Sequence, residues 1–147
     1  MNIYRILLIL ILSYINGYTS CNIVNGNIYG DCSNVKFSNK SKGIIRVSKN
    51  KEESGIIDGA IVLPGGNLYF TGISNGDIIV SKNSQLTITG ICDSVKNNGG
   101  IVYIEGNVDN VVANGGKTII SGVVSNISGN GKIIYKKGAF VNNKLVK

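Results

Sequence analysis

Two carboxylates sixteen residues apart, Asp93 and Asp109, are the side chains best placed to do chemistry in this chain of 147 residues. Paired acids can carry out acid–base work at a glycosidic bond or hold a hard cation. The inventory around them is narrow. The sequence contains no His, which removes Ser-His-Asp and Cys-His nucleophiles and histidine-ligated metals. An Asp at a chain corner usually bonds its own backbone and faces water. The pair therefore carries an alternative, a glycan-binding or glycan-active protein. The leading expectation is a non-catalytic protein with no cofactor and no metal site.

What must position these acids is a repeat. Asn83-Ser-Gln-Leu-Thr-Ile-Thr-Gly90, Gly99-Gly-Ile-Val-Tyr-Ile-Glu-Gly106, Gly115-Gly-Lys-Thr-Ile-Ile-Ser-Gly122 and Gly131-Lys-Ile-Ile-Tyr-Lys-Lys-Gly138 lie over one another. Marker glycines fall at 55, 72, 90, 106, 122 and 138, at spacings of 17, 18 and then 16 three times. A period this short excludes helical repeats and propeller blades and fits a solenoid. Before each marker, Leu68/Phe70, Leu86/Ile88, Val102/Ile104 and Thr118/Ile120 alternate with outward Tyr69, Thr87, Tyr103 and Ile119. Alternation with one constant face reads as half-buried strands. After the marker, Cys92, Val108, Val124 and Phe140 form one expected inward column, and Val95, Val111 and Ile127 another. Lys136 falls beneath Ile104 and Ile120, an inward charge that marks the last coil as a cap or a frayed end. The expected fold is all-β: a single-stranded β-solenoid (β-helix) of about five to six short coils over 55–147, behind a Cys-bounded N-terminal cap.

Residues 1–20 read as a signal peptide. Arg5 precedes the uncharged apolar run Ile6-Leu-Leu-Ile-Leu-Ile-Leu12, and small or polar residues follow. The run is too short to span a bilayer comfortably, and no transmembrane segment is expected in the mature chain. Residues 21–54 form the expected cap. Cys21 and Cys32 bound two short β-type runs joined by Asn25-Gly26, a hairpin signal. In an oxidising compartment these cysteines pair, closing a short loop that stabilises by about 3 kcal/mol. The Ser20-Cys21 step also resembles a lipoprotein box, so Cys21 is either a disulfide partner or a lipid anchor. Residues 33–54 are lysine-rich with little periodicity and read as a loop or an irregular cap. Cys92 lies in an inward column and reads as a buried thiol acting as a small hydrophobe.

The formal net charge is +7. The lysines are scattered and lack interleaved aromatic platforms, so nucleic acid is not an expected partner. The expected binding surfaces are an outward column of Tyr69, Tyr103 and Tyr135 and the basic group Lys132, Lys136 and Lys137. Their partner is a second copy of the chain or an anionic envelope polymer.

The pattern Gly-x-(Val/Ile)-x-Ile-x-Gly-x-Val-x-Asn at 99–110, with its copies across 55–140, resembles bactofilin-like β-solenoids, the polymer-forming bacterial scaffold proteins. The resemblance implies assembly of the chain with itself. The export leader and the cysteine-bounded cap depart from that family. The expected function is a structural or binding protein of the cell envelope or extracellular space, located in the periplasm, at the cell surface or outside the cell. A further alternative is a periplasmic inhibitor or immunity-type partner of another protein.

Overall fold

The computed structural model describes residues 22–24, 27–29 and 41–147. The chain divides into two units, Met1–Ser38 and Asn39–Lys147. In the first, β1 (Asn22–Val24) and β2 (Asn27–Tyr29) pair antiparallel with Val24 opposite Asn27. The leader, Cys21 and Cys32 lie outside the described residues.

The second unit is a three-sided parallel β-solenoid, with no helix among its described residues. Each coil crosses a short face, a middle face and a closing face. The short face stacks β5 (Ile56–Ile57), the start of β8 (Ile73–Val80), the starts of β10 (Ile91–Ile104) and β11 (Asn107–Ile120), then β12 (Val123–Ser128) and β14 (Phe140–Val141). The middle face stacks β3 (Ile44–Val47), β6 (Gly59–Val62) and the middles of β8, β10, β11 and β12. The closing face stacks β4 (Asn50–Glu53), β7 (Asn67–Phe70), β9 (Gln85–Ile88), the ends of β10 and β11, and β13 (Lys132–Tyr135). β10 and β11 run through both corners as continuous strands, although the pairing between them skips Asp93 and Asp109 and shifts register around Asn98.

Alternation along each rung sends every second side chain inward. Leu68, Leu86 and Val102 form one fully buried ladder, continued by Thr118; Phe70, Ile88, Ile104 and Ile120 form another; Ala60, Ile78, Val95 and Val111 form a third. Each large aliphatic contributes about 1.5–3 kcal/mol by leaving water. The stack holds because inward columns match type from coil to coil.

The marker glycines have a specific cause. Gly72, Gly90, Gly106 and Gly122 each occupy the second residue of the two-residue corner between the closing and short faces. A Cβ there would fall on the carbonyl of the corner above: Gly55 O, Gly72 O, Gly90 O and Gly106 O in turn. The corner backbones stack too closely for any side chain.

Five expectations change. Stacking begins before Gly55: β3 and β4, within the stretch read as an irregular cap, are the first rungs of two faces. Their pattern is hidden because Lys51 and Glu53 stand over Leu68 and Phe70, where later coils place apolar residues. Near the C-terminus, the corner before β13 is one residue shorter than in the coil above, so Tyr135, not Lys136, sits beneath Ile120. Tyr135 thus leaves the outward tyrosine column, and Ile134 takes its place beneath Ile119. The next corner is longer, so Val141 pairs with Val124 and Phe140 turns outward beside Val123. Gly138 is consequently no equivalent of the other markers: it has open space around it and takes φ +91°, a turn residue.

The two ends are finished differently. At the first rung Glu53 is buried, accepting hydrogen bonds from Lys42 Nζ at 2.7 Å and Gly55 N at 2.9 Å, with Lys51 Nζ 3.6 Å away. At the last rung the chain reverses through Asn142 and Asn143, both at positive φ, and β15 (Lys144–Leu145) pairs antiparallel with β14. Val146 packs against the core beside buried Ala139.

Candidate functional site

The corner between the short and middle faces carries an exposed polar residue in each coil: Asp58, Asn75, Asp93, Asp109 and Ser125. It is sharp because only one or two residues separate the paired rungs, and a short polar side chain fits such a turn. The structure therefore brings Asp93 and Asp109 into one ladder, a coil step of about 4.8 Å apart in backbone. Asn110 Nδ2 donates to Asp109 Oδ2 at 3.2 Å.

Beside this polar ladder lies an apolar one. Ile73, Ile91 and Val123 point outward from the short face, with Asn107 between the last two, and Ile91 is 53% exposed. Together the ladders line an open groove of about 610 Å³. Among the described residues, no group of three or more His, Cys, Asp or Glu side chains is gathered to hold a metal. The groove thus offers two carboxylates, amide and hydroxyl groups, and an aliphatic floor. That set can accept hydrogen bonds and cover apolar surface.

Cys92 lies behind the groove and belongs to the core. It is 1% exposed, its Sγ donates to Ser94 O at 3.2 Å, and burial pushes its thiol up to about 12. It stays protonated at neutral pH and is no nucleophile.

The closing face presents the other expected surface. Tyr69 and Tyr103 share an outward column with Thr87 between them; Ile119 and Ile134 follow in register, but Ile119, expected outward, is buried at 8% exposure. In the neighbouring outward column Lys132 stands beneath Lys117, below Ile101. Sequence reasoning named Lys132 but missed Lys117. The signal was available, since Lys117 precedes Thr118 of the inward column. Lys136 and Lys137 are exposed in the long last corner, apart from that column.

Among the described residues the middle face carries one ion pair and, on β3, the exposed cation Arg46. Lys96 Nζ donates to Asp77 Oδ2, and this hydrogen bond holds the Asp77 carboxyl below its usual range, with Ser94 assisting. Sequence reasoning also missed Asn97, which occupies an inward apolar column at full burial. Its Oδ1 accepts from Gly99 N and Gly100 N at 3.1 and 2.9 Å, and its Nδ2 faces Gly100 O, Lys117 O and Thr118 Oγ1 at 3.1–3.2 Å. Its role is to fasten a tight corner. Among the described residues no helix is long and apolar enough to cross a membrane.

No family model matches the chain, and no curated protein or solved structure matches it.

Proposed function

We propose that this chain is a non-catalytic exported β-solenoid, a structural or binding protein of the cell envelope or extracellular space. The observation that carries the reading is the division of labour between columns. Inward residues are committed to packing, and the two outward features with recognisable chemistry, the short-face groove and the closing-face tyrosine and lysine columns, are long, open and repetitive. Open ladders of that kind suit extended partners: another copy of the chain, or an anionic polymer held at Lys132, Lys136 and Lys137. Export rests on the leader at 1–20, with Cys21 as disulfide partner or lipid anchor. The repeat-level resemblance to bactofilin-like scaffolds agrees with assembly. Sedimentation velocity of the mature chain over a hundredfold concentration range, with and without an anionic envelope polymer, tests this. Larger species are expected. A monomer that also ignores the polymer would remove the reading.

A second reading is a glycan-binding protein using Asp93 and Asp109. It is favoured by their sharing one groove with the aliphatic floor of Ile73, Ile91 and Val123. Saccharide-array binding that disappears in Asp93→Asn/Asp109→Asn supports it, and an array without signal rejects it.

A further inference from the structure

We propose that the short-face groove receives the closing face of a second copy of this chain, so that copies join side by side in a head-to-tail sense. The proposal rests on the structural-protein reading above and names the partner.

Each end of the described solenoid carries a device against growth along its axis on one face, while β3 and β13 keep an edge with no strand paired to it among the described residues. Inward Glu53, held by Lys42 and Lys51, places charge over the first rung of the core. Inward-pointing charge is a device that stops strand edges from pairing. At the other end the chain reverses into β15, an edge of two residues that includes Lys144. Short edges bearing Lys pair poorly. The long faces remain.

The faces match in chemistry. The groove offers Ile73, Ile91 and Val123 beside Asp93 and Asp109. The closing face offers Tyr69, Ile101 and Tyr103 beside Lys117 and Lys132. Among the described residues the ion pairs are Lys42–Glu53, Lys51–Glu53 and Lys96–Asp77, so neither the two groove acids nor the two closing-face lysines are paired. The middle face, with Asp77 already on Lys96, keeps one unpaired cation among the described residues, Arg46 on β3, and no like-charged partner one coil away.

The faces also match in step. Asp93 to Asp109 is one coil, and Lys117 to Lys132 is one coil. Both advance by the same strand spacing of about 4.8 Å. A single docked geometry therefore forms both ion pairs, Lys117 on Asp93 and Lys132 on Asp109. Lys117 lies on the coil of Asp109, so the second copy is displaced by one coil along the axis. Each contact uses two different patches and leaves one free on each partner, and the axial displacement prevents ring closure, so addition continues as an open helical filament.

The test uses the mature chain and two double variants, Asp93→Lys/Asp109→Lys and Lys117→Asp/Lys132→Asp. All four positions are exposed, and circular dichroism checks the fold. Sedimentation velocity at low salt is expected to show assembly of the native chain. Each variant alone weakens it by about tenfold or more, because like charges now face each other. An equimolar mixture of the two restores it, since each variant's groove then complements the other's closing face. Assembly that survives both variants, or that the mixture fails to restore, overturns this contact while leaving the structural reading in place. A native chain that stays monomeric removes self-assembly altogether, and this contact with it.

Discussion

Glu53 stands directly over Phe70 in an inward column, and Lys42 Nζ donates to its Oε1 across 2.7 Å. The Lys42 hydrogen bond holds the Glu53 carboxyl below its usual range. Burial works against it, while Gly55 N–H and the charges of Lys42 and Lys51 add to it. A carboxylate with a depressed folded pKa adds stability above its unfolded value, and that stability is lost as pH falls through the folded value. Glu53→Gln is expected to lose about 1–2 kcal/mol at pH 7. The lower end applies because Lys42 is largely solvated. Urea titrations should show native and variant converging as pH falls from the ordinary glutamate range through the lowered folded value. A gap that persists unchanged in acid would assign the effect to shape instead of charge.

The two classes of marker glycine separate on substitution. Gly106→Ala drives a methyl into Gly90 O at a stacked corner and is expected to cost about 3 kcal/mol. Gly138→Ala meets open space and pays only for φ +91°, about 1 kcal/mol. Equal losses in urea-determined stability would contradict the corner-stacking account.

Asn97→Ala leaves Gly99 N and Gly100 N without their buried acceptor. The expected loss is about 2–4 kcal/mol, seen as a lower urea midpoint. Thr118→Val removes one contact of the same amide and should lose about 1 kcal/mol.

Cys92 is expected to resist alkylation in the folded chain at pH 8 and to react only after unfolding, as read by mass spectrometry of the peptide containing it. Burial and the raised thiol pKa give the same direction. Cys92→Val matches Val108 beneath it and should change stability by less than about 1.5 kcal/mol. Rapid labelling of the native chain would show that the short face opens.

The solenoid was legible in the sequence because its inward columns are nearly pure. Leu68, Leu86 and Val102 cannot be read as anything but one strand position repeated. The corner acids were legible for the same reason. Residues 44–53 were not, since Lys51 and Glu53 occupy inward positions of the first described rung, which has no coil above it among the described residues to demand apolar partners. Nor was the fate of Tyr135. One corner loses a residue and the next gains one or more, so Gly122 and Gly138 keep a sixteen-residue spacing while the rungs between them slip. Sequence period counts residues; stacking counts rungs. Lys117 was passed over because a lysine in a strand is ordinary until a second lysine is found beneath it.

The reversed hairpin at β14–β15 has a kinetic consequence. Each rung touches only the rungs above and below, so this molecule opens from its termini like a zip, one coil at a time. The antiparallel clasp and the Glu53 ion pair are its two stops. Loosening either one changes how often the adjacent coil peels away, and leaves the amide exchange of the central coils around Ile88 and Ile104 almost untouched.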